Sequence, residues 1–246
     1  MKKLFLLVSL CSSLLVAQPG NVVDRPVSLK LLVPSVLEDQ KNIWTFPARL
    51  GRSRDWIPAA AVLGTAAVFA GFVDHREASY FRVTNTFSGF NSVFNSNTTI
   101  AGTIAAPAAL YLIGLGKKDS RMEHTALLSA EALGDAEILS TVLKVGTRRE
   151  RPSSIAVKGN YSDNWFEGGN GFSGGSFPSG HTIAAFSIAT VVARRYGQHK
   201  WVPYVAYGAA ALVGISRLSL SAHYLSDVFM GAALGYSISR FSVLHE

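Results

Sequence analysis

Two uncharged stretches constrain this chain more than any other feature of it. Trp56 to Val73 and Thr98 to Gly116 run for 18 and 19 residues without a charged side chain, and both are rich in Ala, Gly and Thr. Stretches of this length read as helices, either buried in a bundle or long enough to approach a bilayer span. A more polar helical run covers 121–146, where Glu123, His124, Glu131, Asp135 and Glu137 interrupt the apolar stripe. Further helical runs lie at about 180–196, 202–216 and 222–240. Alternation of apolar and polar residues at period two is nearly absent, so strands are not expected. The segment between the two uncharged runs, from Asp74-His75-Arg76-Glu77 to the Asn/Ser-rich patch 88–99, reads as a polar connection. The expected fold is all-α, a bundle of six helices.

The beginning of the chain has a different character. Lys2 and Lys3 precede an apolar run from Leu4 to Val16, and Ala17 then meets Gln18-Pro19-Gly20. This is the pattern of a signal peptide over residues 1–17, with a run too short to span as a stable helix. Cys11, the one cysteine, lies inside that run, so cleavage leaves a chain without disulfides. Residues 18–50 carry Pro19, Pro26, Pro34 and Pro47 and read as an irregular or partly helical extension. Residues 51–246 remain as the folded domain.

Composition then narrows the partners. Hydrophobic residues make up 48% and charged residues 16%, with mean hydropathy +0.24, which excludes a disordered chain. The net charge of +7 suits an anionic partner. The basic residues are scattered and not patched with aromatics, which speaks against nucleic acid. If all six helices spanned a membrane, the loop cations would fall into two sets. One holds Arg49, Arg52, Arg54, Lys117, Lys118, Arg121, Arg194, Arg195, Lys200 and Arg240. The other holds Arg76, Arg82, Lys144, Arg148, Arg149, Arg151, Lys158 and Arg217. The positive-inside rule favours the first set in the cytoplasm, whereas an exported N-terminus demands the reverse. A periplasmic or membrane-associated bundle avoids that conflict. An integral inner-membrane protein with a periplasmic site is the alternative.

Three short strings carry the chemistry: Lys144-x6-Arg151-Pro152, Pro178-Ser179-Gly180-His181, and Ser216-Arg217-x5-His223-x3-Asp227. Lys144, Arg151 and Arg217 offer three cations to the oxygens of a transferring phosphoryl group. Ser179 and Gly180 sit at the start of a helix whose free N–H groups favour a bound phosphate, and Gly180 lets the backbone approach closely. His223 and Asp227 are four apart and share a face if their helix has begun by then. A carboxylate on one ring nitrogen leaves the other free to attack.

Together and in this order, the strings resemble the signature of the PAP2 superfamily. That group includes class A acid phosphatases, lipid phosphatases and vanadium haloperoxidases. All eleven motif positions are filled. The resemblance implies a PAP2-type helical bundle and a metal-independent phosphatase without a cofactor. It implies His223 as nucleophile through a phosphohistidine, Asp227 orienting it, and His181 as general acid. Lys144, Arg151, Ser179, Gly180 and Arg217 are implied to bind phosphate. The substrate is a lipid phosphate, an isoprenoid diphosphate or a small soluble ester. A vanadate-dependent haloperoxidase and a non-catalytic phosphate or lipid binder are the rival readings.

Other polar residues receive plainer readings. Arg148 and Arg149 fall off the pattern and read as solvated or substrate-steering. His124, Glu131, Asp135 and Glu137 read as the polar face of one helix and not as metal ligands. The glycine-rich stretch 168–175 lacks the Lys-Ser/Thr of a nucleotide loop and reads as a flap beside the site. Trp56 and Trp201 sit at helix starts, where interface anchoring and core packing are both open.

Overall fold

Local chemistry accounts for most of the helix boundaries. The computed structural model describes residues 26–50, 56–162, 164–168 and 175–245. The signal peptide read over residues 1–17 and most of the glycine-rich stretch lie outside them. Counting a helix that runs on through a π-helical turn as one, the described residues hold eight helices and no strand. These are α1 (Leu32–Leu50), α2 (Trp56–Val83, with its π-helical turn at Phe69–Val73), α3 (Ser88–Val93) and α4 (Ser96–Lys117). There follow α5 (Ser120–Thr147), α6 (Gly180–Arg195), α7 (Trp201–Ser219) and α8 (Leu225–Ser237, continued by a π-helical turn at Ile238–Val243).

The all-α expectation holds, but six helices become eight for two reasons. Prolines suggested irregularity before residue 50. Pro34 falls in the first turn of α1, where no N–H partner is needed, and Pro47 falls near its end. The polar 74–99 stretch is not a simple connection either. Asp74-His75-Arg76-Glu77 continues α2, and the Asn/Ser-rich patch forms α3 and the start of α4. There the Asn95 side chain caps α4 by accepting the Thr98 N–H at 2.9 Å.

α6 is the centre of the bundle, packed by α5, α7 and α8. Leu128, Ala132, Ala136 and Leu139 of α5 meet Ile183 and Val191 of α6 and Ile238, Val243 and Leu244 at the end of α8. The α6–α8 seam depends on glycine. A Cβ on Gly231 would lie 2.9 Å from the Ser179 carbonyl and 3.0 Å from the Thr182 Cβ. One on Gly235 would run into the Ile183 carbonyl. This close approach brings the first turn of α8 against the first turn of α6, where the motif residues lie.

α1 closes the far side of α5. The Gln40 amide donates to the Asp135 carboxylate at 2.8 Å, and Val36 sits over Gly134. Asp135 and Glu131 are therefore buried while Glu137 is exposed, so the polar residues of α5 do not form one solvent-facing surface. The two long uncharged helices behave differently. Only 6% of the apolar window of α2 and 17% of that of α4 is buried, leaving Leu63, Phe72, Ile104 and Leu112 outward. Trp56 and Trp201 are also exposed, which removes core packing as their role.

Candidate active site

The α5–α6 connection builds one wall of the site. α5 ends because Arg148 takes the left-handed conformation at φ 42°. That reversal leaves Arg148 exposed and sends Arg149 into the interior. Arg151 is extended before Pro152, as the proline ring requires. The chain returns through Ser176, whose N–H donates to the Arg149 carbonyl at 2.7 Å.

His223 lies just before α8, which begins at Leu225, so it and Asp227 do not share a helix face as their spacing suggested. The imidazole is buried. Its Nδ1 lies 2.7 Å from the Ser176 carbonyl, an acceptor only, so Nδ1 carries the proton and Nε2 the lone pair. Asp227 Oδ2 is 3.7 Å from Nδ1, beyond hydrogen-bond distance, and is linked to the residue that holds Nδ1 by the Ser176 hydroxyl. Asp227 Oδ2 accepts the Ser176 hydroxyl at 2.5 Å and the Tyr224 N–H at 2.9 Å. Burial opposes charge on Asp227, but the Arg149 guanidinium first, then the nearby His223 imidazole and the Ser176 hydroxyl, hold its pKa below the ordinary carboxylate value. Burial lowers the pKa of His223, against the pull of Asp227, so its imidazole favours the neutral form.

Facing His223 is the start of α6. Ser179 occupies the N-cap position, yet its hydroxyl pairs with that of Thr182 at 2.8 Å and makes no capping bond. The N–H groups of Gly180, His181 and Thr182 have no partner among the described residues. A Cβ on Gly180 would stand 2.9 Å from Lys144 Nζ, so Lys144 lies directly against the helix start. Among the described residues neither Lys144 nor Arg151 makes a hydrogen bond. Arg151 and Lys144 both bear electrostatically on His223, and Arg217, His223 and Lys144 bear on His181. The three motifs thus converge on one cationic cup. Burial first, then these neighbours, push the His181 pKa down to about 3. Its Nε2 is buried without a partner. Arg217 forms the side of the cup, its fork held by Ser216, by Ser96 Oγ at 3.1 Å, by Thr99 Oγ1 at 3.2 Å and by the Phe94 carbonyl.

The family model of the PAP2 superfamily matches residues 123–245, half of the chain and all three motifs. The chain belongs to the PAP2 superfamily. A lipid A 1-phosphatase of Porphyromonas gingivalis is 29% identical over 158 residues, which is 63% of this chain and 32% of that protein. A phosphatidylglycerophosphatase B of Bacillus subtilis is 29% identical over 153 residues, 59% of this chain and 70% of that one. The chain therefore spans about a third of the first relative's length. The crystal structure of a transmembrane PAP2 type phosphatidylglycerolphosphate phosphatase from Bacillus subtilis matches with TM-score 0.50 at 22% identity, over 74% of this chain and 92% of that one. That likeness shows the shared fold.

Two residues of this PAP2 site escaped the sequence reading. Arg149, read as solvated or steering, is 1% exposed. It donates to Asp227 at 2.6 Å, Ser226 at 2.7 Å, Asp74 at 2.8 Å and Asn164 at 2.8 Å. Asp74, placed in a connection, is buried on α2 and accepts the Ser226 N–H at 3.0 Å. The signal for Arg149 was its place two residues before Arg151 at a helix end. Asp74 stands at the point where an 18-residue uncharged run stops. Of the glycine-rich stretch, Gly168 and Gly175 pack on the backbone of Glu150 and Lys144, and 169–174 lie outside the described residues.

Proposed function

We propose that this protein is a phosphatase that removes a phosphate group carried by a lipid, through a phosphohistidine on His223. The observation that carries this is the cup itself. Two cations without a hydrogen-bond partner and three unpaired helix N–H groups, among the described residues, face a buried imidazole whose attacking nitrogen has its lone pair free. Nε2 of His223 forms a bond to phosphorus as the bond from phosphorus to the ester oxygen breaks. His181 gives that oxygen a proton, then takes one from the water that attacks the phosphohistidine, releasing phosphate and restoring both imidazoles. Lys144, Arg151, Arg217 and the start of α6 hold the negative charge on the equatorial oxygens, so no metal is required.

With its pKa at about 3, His181 is neutral in the empty cup at neutral pH. A phosphate monoanion carries the missing proton in. A monoanion beside a neutral imidazole has the same proton count as a dianion beside a protonated one, and the cup favours the second arrangement.

Two observations favour a lipid. The apolar lengths of α2 and α4 are almost unburied, which supports membrane association. α4 reaches the cup at its first residue, and the apolar run of α2 stops at Asp74 just behind the cup. Asp74 of α2 accepts from Ser226, and Ser96 of α4 accepts from Arg217. Their apolar lengths lead away from it, which supports a cup at the edge of an apolar belt, at headgroup depth. The relatives are named for lipid A and for phosphatidylglycerophosphate, which are lipids that carry phosphate. Helix ends remote from the cup carry Lys117, Lys118, Arg121, Arg194, Arg195 and Lys200. Four of the eight cations at the cup end are turned inward, Lys144, Arg151 and Arg217 to the cup and Arg149 to the buried groups behind it. The remaining imbalance favours a cup on the periplasmic side.

The test separates cells into soluble and membrane fractions and assays each on an aryl phosphate and on a lipid phosphate in detergent. Activity that stays with washed membranes, prefers the lipid and vanishes in His223→Ala is expected. Retention of most activity by His223→Ala, or a freely soluble activity confined to the aryl ester, overturns the reading.

A further inference from the structure

Arg149 presents a physical puzzle. It falls at an unspecified position of the first motif, between Lys144 and Arg151, and its guanidinium reaches neither solvent nor the cup. It is clamped between the rings of Trp165, 4.4 Å away, and Tyr224, 4.0 Å away. A buried cation between two buried carboxylates is an expensive way to join helices, because apolar side chains of similar volume serve stability as well or better. Its contacts form a chain with a definite end. Asp74 on α2 fixes one arm of the fork, and Asp227 Oδ1 takes the other. Asp227 Oδ2 holds the Ser176 hydroxyl, and the Ser176 carbonyl holds His223 Nδ1.

We propose that Asp74 and Arg149 are positioning residues for His223, locking the plane of the Asp227 carboxylate and, through Ser176, the tautomer and aim of the imidazole. The proposal rests on His223 being the nucleophile. Neither residue touches the substrate. The planar fork is what the position demands: it reaches two carboxylates, a serine hydroxyl and an amide at once, whereas an ammonium is a point donor. Charged and titratable groups face Asp227 from every side. Asp74 and Glu77 lie on α2, Lys144 on α5, Arg149 and Arg151 in the connection, and His223 and Tyr224 before α8. Arg149 is the strongest of the influences that keep Asp227 ionised. Weakening it lets burial raise the Asp227 pKa, so the acid limb of the rate profile moves to higher pH.

The experiment compares Arg149→Lys and Asp74→Asn with the full wild-type chain on a soluble aryl phosphate. It reads kcat, KM, inhibition by inorganic phosphate, the pH profile and thermal unfolding. In Arg149→Lys, kcat should fall roughly ten- to a hundredfold, as when the partner behind a working imidazole is lost. KM and phosphate inhibition should hold within about threefold, because the cup's own donors remain. The acid limb should move up in Arg149→Lys but not in Asp74→Asn, where removing a carboxylate that competes for the same guanidinium leaves Asp227 at least as easily ionised. A folded Arg149→Lys with wild-type kcat and an unmoved limb overturns the proposal. So does a loss that tracks only the folded fraction, or the failure of both variants to fold, since the clamp is then merely structural. If instead the wild type is indifferent to His223→Ala, it is the phosphatase reading that has failed.

Discussion

The two walls of the cup are built on opposite principles. On the His223 side the groups that lead to the imidazole are engaged, Nδ1 by a carbonyl, both Asp227 oxygens by donors and the Arg149 fork by four partners, while the Tyr224 hydroxyl and Glu77 Oε2 beside them are not. On the α6 side the donors are open: Lys144, Arg151, the N–H groups of Gly180, His181 and Thr182, and the buried Nε2 of His181. A buried donor left unmade costs about 1–3 kcal/mol, so a fold retains several together only where something else meets them. The engaged wall aims a nucleophile, and the open wall waits for an anion. Arg217 stands between the two, already braced by the α3–α4 segment yet lining the cup.

Breaking the open wall at its proton donor should have the largest effect. His181→Asn removes the general acid while sparing the cations, and turnover of an alkyl phosphate should fall by roughly 10²–10⁴-fold. The pH dependence sharpens this. The substrate monoanion delivers the proton that the depressed His181 lacks, and the second pKa of a phosphate ester is near 6. In the wild type kcat/KM should therefore fall as pH rises above about 6, and the variant should lose that alkaline limb. A wild-type profile flat from pH 6 to 8 would show that His181 is not supplied in this way.

Removing a cation from the open wall should act next. Arg151→Met takes away one charge-assisted donor worth about 1.5–3 kcal/mol, or roughly ten- to a hundredfold in kcat/KM. Since the ground-state phosphate already carries charge, much of the loss should appear in KM and in weaker inhibition by inorganic phosphate. The opposite wall predicts the contrary signature, with kcat lost and KM kept. Equal signatures from both walls would dissolve the distinction between them.

How much of this was legible from residues alone differs between the walls as well. The open wall was readable because its chemistry is local. Pro178-Ser179-Gly180-His181 announces a helix start, and Lys144 and Arg151 flank a helix end, so charge and spacing pointed at the anion. The engaged wall was not, because its partners are remote. Asp74 is 75 positions from Arg149 and 152 from Ser226. The i,i+4 pattern of His223 and Asp227 suggested a direct pair, whereas the helix starts after His223 and a carbonyl from 47 positions away takes its Nδ1. The helix count missed α1 and α3 because proline and Asn/Ser content says little where those residues fill first turns and caps. The exposure of α2 and α4 was equally hidden. A run of Ala, Gly and Thr suits a buried helix and a lipid-facing one alike, and only packing separates them.

The smallest change probes the link between the walls most closely. Ser176 holds His223 by its backbone carbonyl and Asp227 by its hydroxyl. Ser176→Ala leaves the carbonyl in place and removes only the hydroxyl, so His223 keeps its partner while the carboxylate loses one of its two Oδ2 donors. A single buried hydrogen bond is worth about 1 kcal/mol, which corresponds to roughly fivefold in kcat. KM should be unchanged, because no donor of the cup is touched. If Asp227 instead acted on the imidazole directly, across the 3.7 Å that separates them, the hydroxyl would be dispensable and kcat would stay at the wild-type value. Steady-state kinetics of this one variant therefore decides whether the carboxylate reaches the nucleophile through Ser176 or past it.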